Sequence, residues 1–360
     1  MNKKIMYKPL SLKLLKSFEE FDNHYLVINI SNKKAKLDGY IAIHRKNKSG
    51  PSFGATRLWN YSSKKDALKD ALRLSKLMSY KSALAGLPYG GAKATIIKPK
   101  GKFSREILFK AYAEELNKLN GMFITGTDVG LNISDLEYMK KYTKYLVGYS
   151  SNPEKATGLG LGQSLNTALN FLYKNNNYSN YSFAIQGVGK VGMELLNILI
   201  ERGAKNIFIA DIDKNKTKQI VKNYPFIKAV NVDRIHKQEV DVFCPCALSG
   251  ILNKKSISDL KCKIIVGSAN NQLRDISVGE DLHKKGILYC PDYVVNSGGL
   301  ISVIDEYVYN KPDYNRLNKK IGKIQPILMK IFAESNKNNL PPCIVSDDIG
   351  LSIINRNSSK

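Results

Sequence analysis

The sequence predicts an α/β protein of two domains, the second a doubly wound parallel sheet. Three observations carry this. A chain of 360 residues is long enough for two domains of ordinary size. Beyond about residue 150, short apolar runs alternate with helical segments, as in a parallel sheet wound with helices. Between one such run and the helical segment after it stands Gly187-Val188-Gly189-Lys190-Val191-Gly192, spaced for a tight turn against a strand end. The expected division assigns residues 1–147 to the first domain and 148–335 to the second, with a helical return to the first over about 336–360.

The elements follow in chain order. Residues 25–30 and 38–44 have the β-rich composition of strands, and Gly50-Pro51 breaks the chain after the second. Ser63 is placed to cap a helix, with Asp66 at its third position. Ala67, Leu68, Ala71, Leu72, Leu74, Ser75 and Met78 then share one helical face, and that helix is expected to end near Lys81. A glycine-rich turn over 86–91 leads to a short strand over 94–97, and residues 104–120 read as a helix stopped by Gly121. In the second half, strands are expected at 182–186, 207–211, 240–244, 264–266 and 287–290, and the chain from about Leu317 reads as helical.

Composition excludes several classes. Hydrophobic residues are 43% and charged residues 24%, ordinary for a globular chain large enough to do without disulfides. No apolar run is long enough to span a membrane, so no membrane partner is expected. Residues 1–16 lack the apolar core and cleavage site of a secretory signal. Cysteines at 244, 246, 262, 290 and 343 form no disulfide framework, which suits reduced thiols in a cytoplasm. Lys and Arg number 56 against 31 Asp and Glu, a net charge of +25. Such an excess can mark a nucleic-acid binder, but these lysines are dispersed with no basic block, which argues against nucleic acid.

The glycine motif carries more. A strand over 182–186 precedes it, a helix follows, and Asp211 ends the next strand 19 residues after Gly192. This is the Rossmann-type dinucleotide-binding arrangement. Gly187 permits the tight turn, Gly189 lets a pyrophosphate approach the backbone, and Gly192 lets the helix pack on the strand. The helix N-terminus offers N–H groups to the phosphates. Asp211 can accept from a ribose 2′-hydroxyl and would repel a 2′-phosphate, so NAD is the expected cofactor over NADP.

A second group of segments is Met78-Ser-Tyr-Lys81, Gly86-Leu-Pro-Tyr-Gly-Gly-Ala-Lys93 and Thr125-Gly-Thr-Asp128-Val-Gly130. Lys93 follows small and turn-forming residues and precedes an apolar strand, which points to an enclosed amine. With these stand Gly50-Pro-Ser-Phe-Gly-Ala-Thr-Arg57, Ser151-Asn-Pro153, Pro245-Cys-Ala247, Gly267-Ser-Ala-Asn-Asn-Gln272 and Pro291-Asp-Tyr-Val294, then Asn296 and Gly298-Gly299. In this order they resemble the leucine/phenylalanine/valine dehydrogenase branch of the glutamate dehydrogenase superfamily, from about Tyr40 to Glu306, with the leucine enzymes nearest.

The resemblance implies roles. Lys93 would be the catalytic lysine that activates water for attack on an imine, and Asp128 the acid that shuttles protons at the amino group. Lys81 would pair with the substrate carboxylate, since a carboxylate needs a fixed cation. Phe53, Gly54, Met78, Asn296, Leu300 and Val303 would complete the substrate site. Thr157, Ala247 and Asn270 would join Gly187, Val188, Gly189, Lys190, Val191, Gly192 and Asp211 around the cofactor, although Thr157 reads equally well as a helix cap. The first domain would then hold substrate and build an oligomer, a dimer or octamer of identical chains, and closure of the cleft between domains would exclude water.

The implied activity is reversible, NAD-dependent oxidative deamination of leucine, valine or isoleucine. Phe53 stands where the glutamate enzymes carry a lysine for the side-chain carboxylate, which argues against glutamate. It also stands where a leucine is expected, and Ala55 replaces a glycine; both would shrink or reshape the pocket. An aromatic amino acid dehydrogenase, an imine-coupling biosynthetic relative and a non-catalytic basic binding protein are the alternatives. The C-x-C at Cys244 and Cys246 has no partner pair, and His24, His44, His236 and His283 show no zinc spacing, so no metal is expected.

Overall fold

The computed structural model describes residues 7–47, 50–247 and 249–358. Of residues 1–16, weighed for a signal, the first six lie outside them, as do the last two of the expected helical return. The chain divides into two compact units. One comprises 1–151, 303–312 and 350–360, and the other 152–302 and 313–349. The return to the first unit thus differs from the expected 336–360. It is made by a piece at 303–312 and by the chain from 350, because the helix Ile324–Asn338 packs on the helix Pro153–Tyr173 within the second unit.

The first unit is built on five strands: β1 (Leu26–Asn32), β2 (Leu37–Ile43), β3 (Ser52–Trp59), β4 (Gly90–Ile97) and β5 (Phe123–Thr127). They lie in the order β1-β2-β4-β3-β5; β1 and β2 run antiparallel to their neighbours, while β3, β4 and β5 are mutually parallel. The interior strand β3, between β4 and β5, and the edge strand β5 are not among the expected elements. The short strand expected over 94–97 begins at Gly90 instead, so Lys93 lies inside a strand. The reason is pairing: β4 has a partner on both sides along its length, Ala42 and Ala55 flanking Lys93.

Alternation along β4 decides which side chains meet which layer. Ala92, Ala94 and Ile96 join Leu108, Phe109 and Tyr112 of the helix Arg105–Lys118 in one apolar core. Gly91, Lys93 and Thr95 face the helix Lys64–Leu84, to whose Ala67 carbonyl the Thr95 hydroxyl donates at 3.0 Å. That helix starts as expected, with Ser63 accepting from the Asp66 N–H, and runs one turn beyond Lys81. The piece at 303–312 is tied in by Glu306, 5% exposed, whose carboxylate accepts N–H bonds from Gly148 and Ser151 at 3.2 and 2.9 Å.

The second unit carries six parallel strands: β6 (Ser182–Gln186), β7 (Asn206–Ala210), β8 (Ile227–Ala229), β9 (Val242–Pro245), β10 (Ile264–Ile265) and β11 (Leu288–Tyr289). Their order, β11-β10-β9-β6-β7-β8, reverses direction between β6 and β9. Ligands of such sheets bind beyond the carboxyl ends of the strands at that reversal. Among the described residues no helix is long and apolar enough to cross a membrane.

Candidate active site

The first unit assembles a charged group on the helix-covered face of its sheet. The row Ala42, Lys93, Ala55, Gly126 runs across β2, β4, β3 and β5, so the lysine is flanked by residues too small to fill the space around its stem. One step further along, Arg57 and Asp128 share that face. Lys93 donates to Asp128 Oδ2 at 2.5 Å, and Arg57 Nε donates to the same oxygen at 3.1 Å. Lys93 is 5% exposed. Burial alone would raise the Asp128 carboxyl, but the charges of Lys93 and Arg57 overcome it and hold the group well below the usual carboxylate range.

Lys81 is half-buried in the last turn of the helix Lys64–Leu84, beside half-buried Met78. Gly91 is what lets that helix and β4 approach. A Cβ on Gly91 would lie 2.0 Å from the Ser79 nitrogen and 2.5 Å from the Met78 carbonyl carbon, and the Gly91 N–H donates to the Ser79 hydroxyl at 3.0 Å. Gly91 thus sets the two lysine-bearing segments against each other. Gly54 is pressed against β4 in the same way, the Ala92 carbonyl leaving no room for a side chain. Phe53, 1% exposed, is gripped edge-on by Tyr89 and Tyr307 at centroid distances of 4.9 and 5.1 Å. Val303 is half-buried and borders Gly148.

Sequence reasoning passed over the outer part of this group. Arg57 Nη1 also donates to Asp70 Oδ2 at 3.0 Å, and Tyr61 and Arg73 bond the Asp70 carboxylate at 2.8 Å each. One signal was available: Asp70 interrupts the apolar face of its helix three residues after Ala67, where a charge needs a partner.

The second unit presents a backbone cradle. Gly187 has φ +91, and a Cβ on Gly192 would lie 2.0 Å from the Gly187 carbonyl oxygen. Gly189 is the N-cap of the helix Lys190–Glu201 and faces open space. Asp211 accepts from the Val188 N–H at 2.9 Å and from the Asp213 N–H at 3.0 Å, which fixes its carboxylate beside the turn. Across the reversal, the Cys246 N–H donates to the Gln186 carbonyl, and Ala247 abuts Gly187. Val188 is buried, Val191 half-buried, and exposed Lys190 pairs with Glu154 at 3.0 Å.

Asn296 is 6% exposed and donates to the Ser268 carbonyl at 3.1 Å and to Asn270 Oδ1 at 3.0 Å, so these two asparagines come together. The Asn296 and Gln186 side-chain oxygens are buried with no hydrogen-bond partner. Open cradle, fixed acid and unpartnered acceptors beyond the strand ends suit a dinucleotide. Leu300 is buried at 8% exposure. Thr157 does not cap its helix; Asn152 does, while the Thr157 hydroxyl lies inside the first turns and donates to the Pro153 carbonyl at 2.8 Å.

Comparison with known proteins matches two family models to the chain. Residues 24–145 match the Glu/Leu/Phe/Val dehydrogenase dimerisation domain, and residues 209–339 match the Glutamate/Leucine/Phenylalanine/Valine dehydrogenase domain. The chain belongs to this family of amino acid dehydrogenases. It is 38% identical to the leucine dehydrogenase of Geobacillus stearothermophilus over 93% of this chain and 92% of that one. It is 37% identical to the phenylalanine dehydrogenase of Lysinibacillus sphaericus, over 88% and 85%. The crystal structure of L-tryptophan dehydrogenase from Nostoc punctiforme superposes with a TM-score of 0.83 at 34% identity, covering 97% of this chain and 99% of that one. As an oxidoreductase of this family acting on CH–NH2, the chain uses NAD, in keeping with the acid placed at its glycine turn.

Proposed function

We propose that the chain oxidatively deaminates a small apolar L-amino acid, leucine, valine or isoleucine, to its 2-oxo acid and ammonia. The observation that carries this reading is the buried Lys93–Asp128 pair on a sheet face shared with a fully apolar Phe53. NAD, when bound at the glycine cradle, supplies the hydride acceptor. Lys81 pairs with the α-carboxylate and fixes the substrate by charge. Asp128 takes a proton from the amino group, which its ionised state allows. Lys93, once it has given up its proton, draws one from water as that water attacks the imine carbon. The carbinolamine then collapses: Asp128 gives its proton to the amino nitrogen, the C–N bond breaks as ammonia leaves, and the hydroxyl proton passes to the freed Asp128 carboxylate as the C=O bond forms. Asn296 and Asn270 orient the two reactants, and Thr157 and Ala247 border the cofactor.

Side-chain preference follows from Phe53. It lies two residues, about 7 Å, along β3 from Ala55, the direct neighbour of Lys93, and on the same sheet face. Its ring offers no charge for a glutamate side chain, and two tyrosines keep it from moving aside. Preference for short branched side chains follows, while the phenylalanine and tryptophan enzymes among the relatives keep an aromatic substrate as the second reading. One methylene is worth about 1 to 3 kcal/mol, so neighbouring substrates should differ by only about 10- to 200-fold. The five free cysteines suit a reducing cytoplasm, and the matched dimerisation domain suits a homo-oligomer.

The test is NADH formation at alkaline pH with a panel of L-amino acids, each offered NAD⁺ and NADP⁺. Leucine, valine and isoleucine with NAD⁺ should lead. Folded protein silent on every apolar amino acid would sink the proposal.

A further inference from the structure

We infer that Arg57 is a positioning residue for the deamination, a bridge that holds the proton-shuttling carboxylate of Asp128 in place and supplies the second positive charge at that site. The inference rests on the function proposed above and deepens it. Its ground is geometry. The guanidinium spans two carboxylates, donating from Nε to Asp128 Oδ2 at 3.1 Å and from Nη1 to Asp70 Oδ2 at 3.0 Å. Asp70 is itself held by Tyr61 and Arg73. Asp70 and Lys81 stand on one helix, Arg57 on β3 and Lys93 on β4, so one planar group ties the loop carrying Asp128 to the elements carrying both lysines.

The bond pattern matters as much as the anchoring. Lys93 and Arg57 both donate to Oδ2, so neither of these bonds uses Oδ1, the oxygen that can meet a substrate amino group. Without Arg57 the carboxylate could rotate about its χ2, and the pair would hold one positive charge instead of two. The groups facing Asp128 from neighbouring elements are Lys93 from β4 and Arg57 from β3, with Asp70, Arg73 and Tyr61 beyond Arg57. Removing the positive charge of Arg57 favours the protonated forms of both Asp128 and Lys93.

The experiment uses full-length Arg57→Gln and Arg57→Lys, with kcat, KM and NAD⁺ affinity followed from pH 6 to pH 11. For Arg57→Gln, kcat should fall about 100-fold and the acid limb of kcat/KM should move up by about one pH unit, with NAD⁺ affinity kept within about twofold. Arg57→Lys should bring the limb back, since charge is restored, but not kcat, since one ammonium cannot bridge two carboxylates. Folded Arg57→Gln with kcat within about twofold of the parent and an unmoved limb overturns the inference. Competitive acetylation of Lys93 by acetic anhydride, read by peptide mass spectrometry against pH, gives a measure free of turnover. If the parent protein deaminates nothing, the proposed function fails, and this labelling still judges Arg57: an upward shift of about one unit in Arg57→Gln supports the bridge, and coincident curves overturn it. Should Arg57→Gln not fold, Asp70→Asn removes the carboxylate anchor and keeps the positive charge of Arg57. It should lower kcat about tenfold without raising the limb, since a negative charge is lost, and kcat within about twofold overturns the bridge.

Discussion

The two units solve the same problem, holding a polar ligand, with opposite materials. The first unit uses long charged side chains brought from distant segments: Lys93 and Asp128 are 35 positions apart, and Arg57 and Asp128 71. They are enclosed, paired with one another, and aimed by strand alternation. The second unit removes side chains altogether. Its glycine turn and the Val188 N–H that meets Asp211 form a surface of backbone within 26 residues of sequence, from Gln186 to Asp211. A charge network can tune proton transfer but depends on every member, whereas a backbone cradle binds phosphates by shape and dipole and fails when atoms are added to it.

Substitutions can pull the two apart, and the largest effect is expected in the charge network. Lys93→Ala should lower kcat by about a thousandfold or more while the NAD⁺ dissociation constant, read by NADH fluorescence, stays within about twofold. Near-normal turnover would remove this amine from the chemistry and dissolve the contrast. Next is Gly192→Ala. Its Cβ would stand 2.0 Å from the Gly187 carbonyl oxygen, so the turn has to shift. Overpacking of this kind costs about 1 to 3 kcal/mol, and NAD⁺ binding should weaken up to about 100-fold with Lys93 labelling unchanged. Unaltered NAD⁺ affinity would show that the cradle tolerates what its geometry forbids.

The smallest effect is expected from acid. His24 and His44 are buried in the first unit with ring centroids 4.8 Å apart, and His44 Nε2 lies 3.2 Å from Asp22. Burial, helped by the nearby His44 and Arg45, pushes His24 down to about 3 from an ordinary 6.5, and burial lowers His44 as well. The unfolded chain therefore binds more protons than the folded one between pH 6.5 and about 3, so stability is full above that window and falls as pH drops through it. The loss attributable to His24 between pH 7 and pH 5.5 should be about 1 kcal/mol, seen as a falling melting temperature that His24→Gln flattens. An equal acid slope in parent and variant would show that this pair is not what makes the first unit acid-sensitive.

Legibility in the sequence followed the same divide. The glycine turn, the strand before it and Asp211 could be placed because they are neighbours along the chain and each glycine has a local reason. Ser63 as a cap and the apolar face after it were readable for the same reason, since capping and helical periodicity act over a few residues. Strand β3 was missed because glycine and the adjacent Thr56-Arg57 and Leu58-Trp59 pairs break the alternation of Ser52–Trp59, which has a strand's shape only between its partners β4 and β5. Thr157 was open between cap and ligand because the choice depended on where its helix begins. The return of the chain to the first unit, at 303–312 and again from 350, was not legible because helix packing, not helix propensity, assigns a segment to a unit.

Local chemistry along the chain was enough to establish the doubly wound second half, the choice of an acid at Asp211, and the family through its ordered motifs. The pairing of Lys93 with Asp128, the capture of Arg57 between two carboxylates and the locking of Phe53 between tyrosines came only with folding. These contacts join segments whose spacing in sequence carries no period. Their energy depends on distance and burial, which exist only once the strands are laid side by side.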